Sequence, residues 1–377
     1  MFRLIEHRLD VRLTESTEWM ITMTTRVLVT GATGFVAGHC IAELLDHGYA
    51  VRATVRDLAA HAARAHLTEL ARRTGGDLEF VAASLGDDAG WAAAVAGCDT
   101  VLHVASPFPA TPPDNEQDLI EPAVQGTLRV LRAAADAGVR RVVLTSSVAA
   151  VAYGHDVDEV RTEDDWSVVD RIPAYQKSKT LAERAAWDFV ESLPAATGLE
   201  LVVVNPGMIL GPLLEARTST SHEPIRRLLA RDVPGSVKTG WTPVDVRDLA
   251  VAHRLAMEVP EAAGNRYICA TDPLWMGELA RLLARDYAAE GFRVPTRVLP
   301  NWVIRLVAVF DKGVRLTVPV LGRTEHVSAD KARRELGWTM RPIEDTVRDT
   351  ADSLIAFGIV TAPGRPAKSS RAAVGTR

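Results

Sequence analysis

The chain has 377 residues, 47% of them apolar and 24% charged, with a formal net charge of −5. That composition supports a sizeable core and excludes a disordered or collagen-like chain, and the lack of concentrated positive charge argues against nucleic-acid or anionic-membrane partners. Three widely spaced cysteines, Cys40, Cys98 and Cys269, form no CxxC pair, which fits a reducing cytoplasm rather than a disulfide framework or a zinc site.

Residues 1–22 scatter Arg3, Glu6, Arg8, Asp10, Arg12, Glu15 and Glu18 among apolar positions. No continuous apolar segment of a signal peptide exists there, so this stretch is expected to lie outside the fold. Arg26 to Thr30 is a β-branched run feeding a glycine turn and predicts a buried strand. Phe35 to Asp46 then carries helical periodicity through Val36, Cys40, Ile41, Leu44 and Leu45, closed by Gly48. Strands are predicted at Ala50–Val55, Leu78–Val81, Thr100–Val104, Arg140–Thr145 and Leu199–Val204. Helices are predicted between them near Leu58–Arg73, Asp87–Val95, Glu116–Ala137 and Tyr175–Ser192. Strands alternating with helices mean repeated βαβ units and a parallel sheet. The fold class is therefore α/β, a doubly wound parallel-sheet Rossmann fold over residues 23–205. Beyond Asn205 the pattern loosens into helices near Pro224–Ala230, Val246–Met257, Leu274–Ala289 and Pro342–Ala356, with a short strand at Arg266–Cys269. Residues 206–360 are expected to form a smaller C-terminal α/β substrate lobe, intermingled with the sheet because no Pro/Ser-rich linker divides the chain. Residues 361–377, with four basic side chains and no acid, read as a flexible tail. No stretch reaches the ~18 uninterrupted apolar residues of a membrane span.

The turn after the first strand is Gly31-x-x-Gly34-x-x-Ala37. Glycines there let the backbone approach a pyrophosphate, and the following helix N-terminus supplies unpaired N–H groups and a favourable dipole. Gly31, Thr33, Gly34, Phe35 and Val36 are the candidate dinucleotide residues of this turn. The second strand ends Thr54-Val55-Arg56-Asp57. An acid in this region holds the ribose 2′-hydroxyl of NAD, whereas a guanidinium suits the 2′-phosphate of NADPH. Arg56, with Arg64 as a possible helper, favours NADPH/NADP+; Asp57 keeps NAD open.

Tyr175-Gln-Lys-Ser-Lys179 places a phenol and an ammonium at i and i+4, on one helix face. A phenol alone has a pKa of about 10, and a neighbouring ammonium is expected to lower it toward useful acid–base range. Thr145-Ser146-Ser147 follows the fifth strand, at the end of the sheet that faces the ligand crevice, where the Ser147 hydroxyl can donate to a carbonyl oxygen. His103, after the fourth strand, reads as a buried structural histidine beside the cofactor loop, with a catalytic role as the alternative. Phe108, Trp166 and Trp241 are tentative walls of an apolar substrate pocket or, equally, ordinary core. No metal-ligand spacing stands out.

Taken jointly, these segments resemble the extended short-chain dehydrogenase/reductases, in the branch of dihydroflavonol, cinnamoyl-CoA and methylglyoxal-type aldehyde reductases. The resemblance runs from about Arg26 to Ile359 and includes His103-Val-Ala-Ser-Pro107, Asn205-Pro-Gly207, Gly211-Pro212 and Val246-Arg-Asp248. It implies NADPH-dependent carbonyl reduction. Tyr175 would give the proton, Lys179 would tune it and bind the nicotinamide ribose, and Ser147 would orient the carbonyl. It also implies that Pro206, Gly207 and Ile209 flank the nicotinamide, that Val104, Ala105 and Ser106 lie along the cofactor, and that Ser221 touches it. Ser84 and Leu85 are expected near the adenine, although Ala83-Ser84-Leu85 departs from the Asp-Leu pair of many relatives. Two other functions stay open: an NAD-dependent NDP-sugar epimerase or dehydratase, which shares fold and triad, and a non-catalytic NADP(H) sensor, which has no need of the three residues together. The expected partner is a small-molecule carbonyl compound, on a monomer or homodimer.

Overall fold

A computed structural model describes residues 25–107, 115–310, 318 and 321–362. The expected extension at 1–22 and Phe108 lie outside these residues. Strands β1 (Arg26–Val29), β2 (Ala50–Val55), β3 (Leu78–Ala82), β4 (Thr100–His103), β5 (Arg141–Thr145), β6 (Glu200–Pro206) and β10 (Arg266–Cys269) form one sheet in the order β10-β6-β5-β4-β1-β2-β3. Every pairing in it is parallel. The order reverses between β1 and β4, which opens a crevice beyond their C-terminal ends, the usual place for a dinucleotide.

Alternation along the strands gives the sheet two dry faces. Val27 and Val29 of β1, Val143 of β5 and Val202 and Val204 of β6 join one core cluster. That face is covered by helices α1 (Phe35–Asp46), α2 (Ala65–Thr74) and α7 (Val246–Glu258). Leu28, Val142, Leu144, Leu201 and Val203 join the opposite cluster, under α3 (Trp91–Val95), α4 (Gln117–Asp136) and α5 (Ala174–Ser192). Buried on both sides, these strands read as continuous apolar runs rather than alternating ones.

Helix α3 is shorter than the sequence predicts. Gly90 caps it with φ +86° against the Ala82 carbonyl, so the helix starts only at Trp91. The expected helix at 274–289 begins instead as strand β11 (Leu274–Trp275), paired antiparallel with β8 (Gly240–Trp241) before α8 (Met276–Tyr287). Strands β7 (Met208–Leu210) and β9 (Pro243–Asp245) make a second small parallel sheet that the sequence pattern does not signal. With α6 (Glu223–Leu229), α8 and α11 (Ile343–Ala356) they surround the third core cluster, over the C-terminal ends of the strands. Two further helices, α9 (Asn301–Val307) and α10 (Asp330–Leu336), complete the α-helices among the described residues. The expected tail starts too early: Ala362 is buried in the third cluster, because the chain after α11 turns back onto Leu354 through Ile359 and Val360.

Candidate active site

The crevice at the switch between β1 and β4 continues into the C-terminal lobe as one cavity of about 1410 Å³. That exceeds the 300–1,000 Å³ typical of a single small-ligand pocket and leaves room for a dinucleotide and a substrate together. Its lining includes Gly31, Thr33, Gly34, Phe35, Val36, Arg56, Ser84, Leu85, Val104, Ala105, Ser106, Ser147, Tyr175, Lys179, Pro206, Gly207, Ile209, Ser221 and Trp241.

At one end Gly31 takes φ +72°, and a Cβ there would lie 2.9 Å from that of Ala105. The turn thus brings two backbones together where only glycine fits. No side chain caps α1, whose N-cap is Gly34, so its first N–H groups are left for a phosphate. His103 stands behind this wall, not in it. The Thr30 hydroxyl bridges His103 Nδ1 at 3.0 Å and the Ala105 N–H at 2.9 Å, and burial beside Lys179 pushes the imidazole down to about 3. A neutral buried ring that sets the 104–106 loop is the outcome, in keeping with the structural reading rather than the catalytic alternative.

Arg56 is exposed at the end of β2 and on the cavity wall. Asp57 turns to its own chain and accepts from the Ala59 N–H at 2.7 Å. Arg64 is not on the wall: it lies over the Phe80 ring at 4.9 Å and hydrogen-bonds His61. The glycine cradle, the uncapped helix and the exposed guanidinium together fit a dinucleotide carrying a 2′-phosphate.

Mid-cavity, Ser147 leaves β5 in an extended conformation and its Oγ accepts the Ala149 N–H at 3.1 Å. Its carbonyl takes Asn205 Nδ2 at 3.2 Å, which ties it to the end of β6. Tyr175, in the first turn of α5, shares a hydrogen bond with Ser147. Burial and the Glu325 carboxylate hold the phenol up, at about 12, against that bond. Burial also lowers Lys179, to about 8, opposed by Glu183. The expected lowering of the phenol by the ammonium is therefore not the net effect in the protein alone; desolvation of both groups wins. Lys177, the other lysine of the motif, points away to Glu116 at 2.9 Å.

Trp166 is not on the cavity wall. Arg266 lies over its ring at 3.8 Å and Arg184 at 5.0 Å, cation–π contacts that belong to the scaffold. The apolar end is built instead by Trp241, Val237, Met276, Leu299, Val303, Ile304 and Val307. Three polar residues of this region escape the sequence analysis: Tyr153, Gln176 and Glu325. The Tyr153 hydroxyl donates to Glu325 Oε1 across 172 residues of sequence, and no local motif announces such a contact. Among the described residues no group of His, Cys, Asp and Glu could hold a metal, and no helix is long and apolar enough to cross a membrane.

Residues 27–270 match the model of the NAD dependent epimerase/dehydratase family. The chain belongs to this family, the extended short-chain dehydrogenase/reductases. A cinnamoyl-CoA reductase of Medicago truncatula is 36% identical over 340 residues, covering 87% of this chain and 95% of that protein. An anthocyanidin reductase of Vitis vinifera is 36% identical over 290 residues, covering 71% and 82%. Among solved structures, yeast methylglyoxal/isovaleraldehyde reductase in complex with NADPH superposes with TM-score 0.72 at 28% identity, covering 88% of this chain and 99% of that one. Vestitone reductase of alfalfa superposes with TM-score 0.67 at 28% identity, covering 87% and 97%.

Proposed function

We propose that this protein is an NADPH-dependent reductase of aldehydes or ketones. One observation carries the proposal: a single cavity joins a phosphate-ready glycine turn, a hydrogen-bonded serine–tyrosine pair and an apolar end. The reductase relatives and the NADPH-bound neighbour support it. Gly31, Gly34, Phe35 and Val36 would hold the pyrophosphate, Arg56 the 2′-phosphate, and Pro206, Gly207 and Ile209 the nicotinamide side. When bound, NADPH supplies the hydride for the carbonyl carbon.

The chain's own residues do the rest. The Ser147 hydroxyl donates to the carbonyl oxygen and orients it as negative charge develops there. The Tyr175 phenol, fully protonated at neutral pH, passes its proton to that oxygen. The Lys179 ammonium stabilises the phenolate left behind, and solvent re-protonates it. The raised pKa keeps the phenol in its proton-carrying form at neutral pH, and the developing alkoxide is basic enough to take that proton.

The test follows NADPH absorbance with a panel of aromatic and aliphatic aldehydes, ketones and diketones. Wild type should turn over, and Tyr175→Phe should lose at least ~10²-fold in kcat while still binding NADPH. Equal rates in the two proteins would remove Tyr175 from the chemistry. Tightly bound NAD with no response to NADPH would point instead to a sugar epimerase.

A further inference from the structure

The apolar end of the cavity contains one carboxylate that has no basic partner among the described residues. Glu325 sits in the segment between Leu321 and α10, and backbone bonds fix that segment on both sides of it. Gly240 N donates to Arg323 O at 3.2 Å, and Arg161 N to His326 O at 2.8 Å. The carboxylate itself is held at both oxygens. Oε1 accepts the Tyr153 hydroxyl; Oε2 accepts Thr242 Oγ1 at 2.7 Å and Thr242 N at 3.2 Å. All these donors are neutral, so they fix the group without cancelling its charge.

The other charges on the cavity wall stand differently. Glu223 faces Arg227 at 3.7 Å, and Arg217 faces Glu215 at 3.1 Å. Arg56 belongs to the dinucleotide end, and Lys179 stands mid-cavity with Glu183 as its opposing charge. Val237, Trp241, Met276, Val303 and Ile304 line the same cavity, and Trp241 directly precedes the Thr242 that holds Glu325. A half-buried charge on a partly apolar wall is screened less than one on the open surface, so it acts over a longer distance. Its field already reaches Tyr175, whose phenol it helps to hold protonated.

We propose that Glu325 is a specificity-determining residue that makes this cavity take cationic or neutral carbonyl compounds and reject anionic ones. The inference rests on the reductase proposal in taking this end of the cavity as the substrate's place. Tyr153 and Thr242 are positioning residues in this scheme, acting through the carboxylate they hold.

The probes are three para-substituted benzaldehydes that differ in charge: trimethylammonio, methyl ester and carboxylate. Each is measured twice, by isothermal titration with the protein alone and by kcat/KM with NADPH. In wild type the cation should bind best and the carboxylate worst. Glu325→Gln keeps an acceptor for Tyr153 and removes the charge. It should reduce the cation-to-anion ratio by at least about tenfold, mainly through KM, whereas Glu325→Asp should restore most of it. Comparing ratios cancels the desolvation of each probe, and a variant that is merely loosened would weaken all three alike. A ratio that moves less than about twofold in a folded Glu325→Gln protein overturns the proposal. If that variant does not fold, a wild-type protein that binds the carboxylate as well as the cation overturns it on its own. Turnover without charge discrimination refutes the role of Glu325 and leaves the reductase proposal standing. Discrimination in binding without turnover of any probe supports the charge preference and removes benzaldehydes from the substrates of the proposed reductase.

Discussion

Arg56 and Asp57 are adjacent in sequence, and only Arg56 lines the cavity. Asp57 has committed an oxygen to the Ala59 N–H, while the Arg56 guanidinium stays exposed on the cavity wall. Arg56→Ala should therefore raise the KM for NADPH at least ~10-fold and change that for NADH little, since only the 2′-phosphate contact is lost. Initial rates with the two cofactors measure this directly, and equal losses for both would relocate the phosphate contact. Lys179 makes a second prediction at this scale. Below its value of about 8 the ammonium is charged and stabilises the phenolate that proton donation leaves. The kcat/KM for reduction should thus be level near pH 6–7 and fall as pH rises above 8, and Lys179→Met should remove that limb along with most of the activity. Ser147, Tyr175 and Lys179 were legible in the sequence because their chemistry is local: an i, i+4 pair and a strand end. Glu325 and Tyr153 were not, because they meet across 172 residues and neither lies in a recognisable pattern. Trp166 stayed open between pocket wall and core for a related reason. An aromatic residue in a loop carries no sign of whether a ligand or an arginine will cover it.

The strands and their helices were legible as elements because burial on both faces imposes long apolar runs and clear breaks. Their extent across the chain was harder to see. Strand β10 comes from the second half of the sequence, yet it pairs with β6 through Arg266 and Val203, Tyr267 and Val204, and onward to Pro206. Helix α7, also from the second half, supplies Leu249, Ala250, Ala252, Ala256 and Met257 to the cluster that covers α1 and the sheet. Arg141, almost wholly buried on β5, is satisfied by the carbonyls of Ala256, Met257, Val259 and Pro260. A fragment ending at residue 205 would expose that face of the sheet and leave the guanidinium's donors without those carbonyls, a costly combination. It should fail to give a cooperative thermal transition and should bind a hydrophobic dye, whereas the full chain should melt in one step. A fragment that melts cooperatively would show the first half to be a self-sufficient domain.

Four histidines make the stability of the whole molecule depend on pH. His39, His222 and His253 are pushed down to about 4 and His103 to about 3, in each case chiefly by burial. His39, on α1 against Pro212 O, and His222 flank the same Phe35 ring, whereas His253 lies on α7 against Thr145 Oγ1. Each stays neutral when folded and takes up a proton near pH 6.5 when unfolded. Between those values the unfolded state binds more protons, so stability rises with pH there and is lost as pH falls. Each group contributes up to about 1.4 kcal/mol per pH unit within its window, and the contributions of His39 and His222, which share Phe35, need not add. The melting temperature should accordingly vary little between pH 7 and 8 and fall steeply from pH 6.5 toward 4. Replacing His253 by Gln, which keeps a polar group near Thr145, should flatten that fall while lowering the melting temperature at pH 7. Calorimetry over the pH series measures both, and an unchanged slope in the variant would mean that His253 is already protonated in the folded protein.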